Sequence, residues 1–271
     1  MEEGTHTPAI EHGSPGKLTR RRLLGGMGVV AGAAAATVIP LAAIGFPSTD
    51  ETATAKASSN RQWAFVIDLR RCDGCKKCTL ACQKEHSLPK DHEWIRVVEV
   101  KGEEGNYFFP RICQQCENPP CLKVCPTGAT FKNPEGVILV DQDRCIGCRM
   151  CMAACPYEAR YFNYDDPIKP ASPFDNPMPE FPVPQQKGTV GKCVLCVHNA
   201  DKGKLPFCVG ACTMDALFIA DLNSDVMTNA SGETYQLSKY LRDNDAFRYK
   251  EELNTSPRVW YVAGHAQDLD F

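Results

Sequence analysis

Cys145, Cys148, Cys151 and Cys155, followed at once by Pro156, are spaced C-x2-C-x2-C-x3-C-P, the run that holds cubane iron-sulfur clusters. Three thiolates so close in sequence fold one loop around three iron corners of a cluster. Where such runs occur in pairs, the fourth cysteine turns away to the neighbouring cluster. The run therefore predicts partner runs, and three more groups are present. Cys113, Cys116, Cys121 and Cys125, followed by Pro126, have x2, x4 and x3 spacing; Cys72, Cys75, Cys78 and Cys82 have x2, x2 and x3. Cys193 and Cys196 are followed after eleven residues by Cys208 and then Cys212. Four groups of four use all 16 cysteines.

Other uses of cysteine compete with this one. Structural zinc sites combine C-x2-C pairs separated by a dozen or more residues, a pattern that only the last group approaches. Disulfides within such tight groups would need many strained local bridges. Cysteine makes up about 6% of the 271 residues, below the roughly 8–10% of short disulfide scaffolds, and it is grouped rather than scattered. The net charge of −3 gives no support for a nucleic-acid partner, which needs a basic stripe. No nucleophile, general base or organic-cofactor motif accompanies the cysteines, so no residue is assigned a catalytic role. His198 lies near Cys196 and is read as a packing or hydrogen-bonding neighbour.

The segments that must position these loops are legible on either side of them. Trp63–Asp68 is apolar and β-branched and predicts a strand leading into the first group. Residues 94–100 and 107–109, around a Gly-Glu-Glu-Gly turn, predict a hairpin between the first and second groups. Residues 129–132 and 137–140, around Asn133-Pro-Glu-Gly136, predict another, which makes residues 113–155 a compact two-group unit. Gly74 and Gly147 sit within the cluster loops, where a residue without Cβ lets the backbone turn its N–H groups toward sulfur. Arg71, Lys76, Lys77, Arg144, Arg149 and Lys192 flank the loops and read mainly as solvated charge. Seven prolines between Asp166 and Pro184 predict an extended surface loop. Residues 235–252 have helical character, and Val259–Val262 reads as a short strand.

Two phrases recur. Val66-Ile-Asp68 through Cys72-Asp-Gly74-Cys75 matches Leu139-Val-Asp141 through Cys145-Ile-Gly147-Cys148, and Cys121 through Phe131 matches Cys208 through Phe218. The chain reads as a tandem duplication of a two-group unit. The fold class expected is α+β, two ferredoxin-like dicluster units with β-hairpin insertions and extended loops. The four-cluster domain spans 58–165 and 185–222, split by the loop 166–184, and 223–271 forms a C-terminal helix and tail.

Thr19-Arg20-Arg21-Arg22-Leu23-Leu24 precedes a Gly- and Ala-rich apolar run to about Ile44, the pattern of a twin-arginine export signal. Small residues at Ala53-Thr-Ala55 or Ala55-Lys-Ala57 offer a cleavage site, so 1–57 is read as signal and linker. The run is also about long enough to span a bilayer as a retained anchor. Export of a folded, cofactor-loaded chain reconciles sixteen cysteines with an extracytoplasmic address, where unmetallated cysteines form disulfides.

The cysteine series behind this signal resembles the four-cluster ferredoxin-type subunit of the dimethyl sulfoxide reductase superfamily. Ile67 through Cys72, Cys116-Glu-Asn-Pro-Pro-Cys121 and Ala154-Cys-Pro-Tyr-Glu-Ala-Arg160 are similar to its tetrathionate, polysulfide and formate-linked nitrite reductase members. The resemblance implies four [4Fe-4S] clusters. One would be held by Cys72, Cys75, Cys78 and Cys212, another by Cys193, Cys196, Cys208 and Cys82. Cys113, Cys116, Cys121 and Cys155 would hold a third, and Cys145, Cys148, Cys151 and Cys125 a fourth. Gln83 and Thr213 stand where the two-cluster pattern has proline. The function implied is one-electron relay between a molybdopterin catalytic subunit and an integral membrane, quinone-reactive subunit, on the periplasmic or extracytoplasmic face. A complex without molybdenum, of the cytochrome-linked nitrite reductase or sulfate-reducer type, is the alternative.

Overall fold

A computed structural model of the chain describes residues 60–102, 105–168 and 177–264. The twin-arginine segment and its linker lie outside them, as do residues 169–176 of the proline-rich loop. No helix among the described residues is long and apolar enough to cross a membrane.

Strand β1 (Trp63–Asp68) is buried along its whole length, as its unbroken apolar run requires of a strand covered on both faces. Trp63, Phe65 and Ile67 point into the larger core, and Ala64 and Val66 into a smaller one. Helix α1 (Lys77–Glu85) follows the first cysteine group and buries Cys78, Thr79 and Cys82 on one face. Both expected hairpins are present: β2 (Ile95–Gly102) with β3 (Gly105–Ile112), and β4 (Thr130–Lys132) with β5 (Ile138–Val140). Between them the one-turn helix α2 (Pro120–Lys123) starts with proline at its first position, where no intrahelical N–H is needed. Helix α3 (Met150–Ala153) is followed by the pair β6 (Tyr161–Phe162) and β7 (Val190–Gly191).

One-turn helices α4 (Val197–Ala200) and α5 (Phe207–Gly210) precede β8 (Leu217–Asp221), β9 (Val226–Thr228) and β10 (Thr234–Gln236). Helix α6 (Leu237–Asp243), a 3-10 turn at Glu251–Leu253 and β11 (Val259–Val262) complete the chain. The main sheet has the order β10-β9-β8-β1-β11. β1 runs antiparallel to β8 and parallel to β11.

Two sequence expectations differ from the structure. The region read as a C-terminal helix and tail begins with β9 and β10, and its helix covers seven residues, not the whole of 235–252. Asp245 takes φ 45° just beyond α6, a left-handed turn that ends the helical path. The described part of the proline-rich segment is not a surface strap. Val183 is fully buried, and the Phe181 ring lies 4.3 Å from that of His198.

Asp68 ties the strand to its surroundings. It is fully buried, accepts from Arg70 Nε at 2.9 Å and Nη2 at 2.7 Å, and accepts from Tyr240 Oη at 2.8 Å. Burial works against its charge, but these hydrogen bonds outweigh that and hold its carboxyl below the ordinary carboxylate value. Asp68→Ala is therefore expected to destabilise the fold by about 2 kcal/mol, the scale of a lost charged hydrogen bond with its partners stranded. Chemical denaturation of the two proteins checks this, and an unchanged midpoint would refute it.

Candidate iron-sulfur cluster sites

Each C-x2-C loop places the residue before its second cysteine in left-handed backbone: Gly74 at φ 76°, Gln115 at 45°, Gly147 at 67° and Leu195 at 54°. Two of the four are not glycine, so the turn is imposed by the loop and not by glycine's freedom alone. The glycines answer to space as well. A Cβ on Gly74 would meet the Phe108 ring at 2.5 Å, and one on Gly147 the Gly188 carbonyl oxygen at 2.2 Å.

The C-x3-C half of each group runs along a helical turn. Cys78 and Cys82 lie in α1, and Cys121, Cys151 and Cys208 lie in α2, α3 and α5, each with its partner just past the helix end. Residues four apart on a helix share a face, about 6 Å apart along the axis. Each turn thus presents one sulfur to each of two adjacent spaces.

Two such spaces are cavities. Cys72, Cys75, Cys78 and Cys212 line one, with Val97, Met214 and Leu217. Cys82, Cys193, Cys196 and Cys208 line the other, with Phe65, His86 and Trp94. Cys116 lies near Cys113, Cys121 and Cys155. Cys151 lies near Cys145 and Cys121, whereas Cys148 is exposed and Cys125 is held by a Thr130 N–H at 3.4 Å. Cys193 also feels Cys113, which brings the last and second groups side by side.

The residues present fit iron-sulfur clusters. Backbone N–H groups already point at sulfur, from Leu195 to Cys193 at 3.4 Å and from Ala216 to Cys212 at 3.3 Å. The cysteines of each cavity are drawn from loops that are distant in sequence. The sulfurs surround spaces, and thiolate sulfur is the donor set that polynuclear iron takes.

Burial pushes the thiols of Cys78, Cys116 and Cys196 up to about 12 and that of Cys193 up to about 11. It also raises the thiols of Cys82 and Cys208 well above the ordinary value. Without metal these sulfurs keep their protons at neutral pH; metal must displace them.

His198 Nδ1–H donates to the Glu180 carbonyl oxygen at 3.0 Å, in keeping with a neighbour's role. The histidine that does meet a cysteine is His86, whose Nε2 lies 3.4 Å from Cys196 Sγ. Burial, and then His198, push its pKa down to about 3, so the ring is neutral. Its sequence signal was one helical turn beyond Cys82, on the same face. Lys192, read as surface charge, is instead buried, with Nζ donating to the Cys193 carbonyl at 2.7 Å. Arg160, buried beside the second and third groups, carried no sequence signal beyond its place after Cys155.

Sulfurs from distant segments gathered around small enclosed spaces, in left-handed loops on short helices, define a ferredoxin-type iron-sulfur protein of mixed helix and strand. The family model called 4Fe-4S dicluster domain matches residues 71–129, 105–170 and 144–199 in three versions. A tetrathionate reductase subunit of Salmonella typhimurium is 34% identical, over 90% of this chain and 88% of that protein. A selenate reductase subunit of Mesobacillus selenatarsenatis is 38% identical, over 74% and 72%. The Hdr-like menaquinol oxidoreductase iron-sulfur subunit 1 of Archaeoglobus fulgidus is 33% identical, over 90% and 98%. The chain belongs to the family of iron-sulfur electron-transfer subunits of the dimethyl sulfoxide reductase superfamily.

The raised thiols give a pH signature. Below pH 9, the ordinary thiol value, both folded and unfolded cluster-free chains are protonated and the thiols' contribution to stability is complete. As pH rises from about 9 toward 12 the unfolded chain loses protons first, and that contribution is lost. The urea midpoint of cluster-free protein is expected to fall between pH 8 and pH 10.5. Loaded protein, its thiolates already ionised by iron, is expected to lack that drop; a parallel drop in both would refute the cause.

Proposed function

We propose that the chain is the electron wire of an exported respiratory oxidoreductase, carrying four [4Fe-4S] clusters and performing no bond chemistry of its own. The observation that carries this is the pair of cavities lined by four cysteines each, every set drawing three sulfurs from one group and one from a distant group. When bound, the clusters supply one-electron steps. The ligand sets are Cys72, Cys75, Cys78 with Cys212; Cys193, Cys196, Cys208 with Cys82; Cys113, Cys116, Cys121 with Cys155; and Cys145, Cys148, Cys151 with Cys125. Through-space neighbours give their order: Cys78 beside Cys208, Cys193 beside Cys113, Cys121 beside Cys151. The row therefore runs first, fourth, second, third group.

A tandem duplication underlies the row. Asp68 N–H bonds the Ala216 carbonyl at 2.8 Å, and Asp141 N–H bonds the Ala129 carbonyl at 2.8 Å. β1 thus meets β8 in the register in which β5 meets β4. The duplicated domain spans 58–165 and 185–222.

The protein's own work is to hold sulfur, exclude water and aim N–H groups. Buried side chains enclose the middle of the row, while the ends are open, with Cys75 at one and Cys148 at the other exposed. Leu80 and Met214 are exposed near the first end and Ile146 and Met150 near the second, apolar surface suited to partner contact. The partners are a molybdopterin-containing catalytic subunit and an integral membrane quinone-reactive subunit, on the periplasmic or extracytoplasmic face. The tetrathionate and selenate reductase relatives favour this assembly. The menaquinol oxidoreductase relative favours a second reading, the same wire in a complex without molybdenum; molybdenum in the co-purifying complex separates the two.

Protein purified without oxygen is expected to hold about sixteen irons, four per cubane, and to give several interacting signals in an electron paramagnetic resonance redox titration. Zinc near four per chain with no reducible signal sinks the proposal. Export has its own test: Arg20, Arg21 and Arg22 changed to Lys together are expected to leave the loaded protein in the cytoplasm on fractionation. Unimpaired export refutes the twin-arginine route.

A further inference from the structure

Arg160 is buried, with 4% of its surface exposed. A guanidinium so placed keeps its charge, and an uncompensated buried charge is costly. Its Nη1 donates to Thr130 Oγ1 at 3.2 Å, which fixes the group against the strand that follows the second cysteine group. Its Nη2 is buried and has no hydrogen-bond partner among the protein atoms. After burial itself, the groups acting most strongly on the guanidinium are Cys121, then Cys151, then Cys113. Cys113 and Cys121 belong to one proposed ligand set and Cys151 to the next.

We infer that Arg160 is a shared potential-setting residue, its free Nη2 donating to cluster sulfur where the sites of the second and third cysteine groups adjoin. This rests on the ligand sets proposed above. The physical reason is simple: reduction adds a negative charge, a fixed cation nearby stabilises the reduced state, and low local dielectric magnifies the effect. A hydrogen bond to sulfur acts in the same direction. The two sites beside Arg160 therefore hold an electron more readily than they would without it. Arg160 is a positioning residue for charge and no ligand.

The test uses the full chain purified with its clusters under exclusion of oxygen. In Arg160→Gln two of the four midpoint potentials are expected to fall by about 60–120 mV, a ten- to hundredfold change in reduction equilibrium at about 59 mV per tenfold. The other two are expected to hold, and Arg160→Lys to recover part of the shift. A second readout needs only wild-type folding: with nitrogen-15 arginine, pulsed electron paramagnetic resonance is expected to find a guanidinium nitrogen coupled to a reduced cluster. That coupling is expected to vanish in Arg160→Lys. Four unmoved potentials in an iron-replete Gln variant, a uniform shift of all four, or no arginine coupling in wild type overturns the role of Arg160 and leaves the wire standing. A wild-type chain without reducible signals overturns the wire itself.

Discussion

One turn of helix is the constraint on which the arrangement depends. Cys78 and Cys82 are four residues apart on α1, and the other three groups repeat the spacing on helices of four residues. Four residues rise about 6 Å, so neighbouring sites are set by backbone geometry and not by side-chain choice. Helices this short have no stability of their own in water. They persist because sheet, hairpins and cavity walls hold them, and bound metal adds folding free energy where thiols must otherwise stay buried and protonated.

Much of this was legible in the residues. The strand at Trp63–Asp68 and both hairpins follow from apolar runs bounded by turn residues, signals that are local. The C-x2-C-x2-C-x3-C pattern marks its loops by spacing alone. Features fixed by distant packing were not legible. Lys192 reads as solvated charge until the fold covers it, and Phe181 and Val183 lie in a proline-rich run whose composition hides their burial. The early end of α6 depends on one left-handed residue, Asp245, and helical character in the sequence continues past it. His86 was one turn beyond Cys82, but nothing local told that the turn would face Cys196.

Several of the polar groups buried in the described fold have a definite bonding role. Asp68 joins β1 to α6 through Tyr240, Lys192 meets a carbonyl of the loop it precedes, and His86 stays neutral because burial favours that form. Relatives that share the cysteine pattern carry names of reductases for quite different compounds, as expected if substrate is met elsewhere and this chain handles only electrons.

The parallel pairing of β1 with β11 has a consequence for biosynthesis. Phe65 pairs with Val259 and Asp68 with Val262, so the central sheet cannot close until almost the whole described chain has left the ribosome. Cys113 to Cys155, by contrast, flank one local hairpin, β4 with β5, and follow another, β2 with β3, although Glu117 and Asn118 among them still bond the downstream Ser256 and Thr255. Contacts of such unequal sequence separation form at unequal rates, and chains made from the N-terminus fold local units first. The cavities lined by Cys72, Cys75, Cys78 and Cys82 are instead completed only by Cys193, Cys196, Cys208 and Cys212, some 110 to 140 residues later. The walls of those two cavities are therefore among the last parts of the described chain to close.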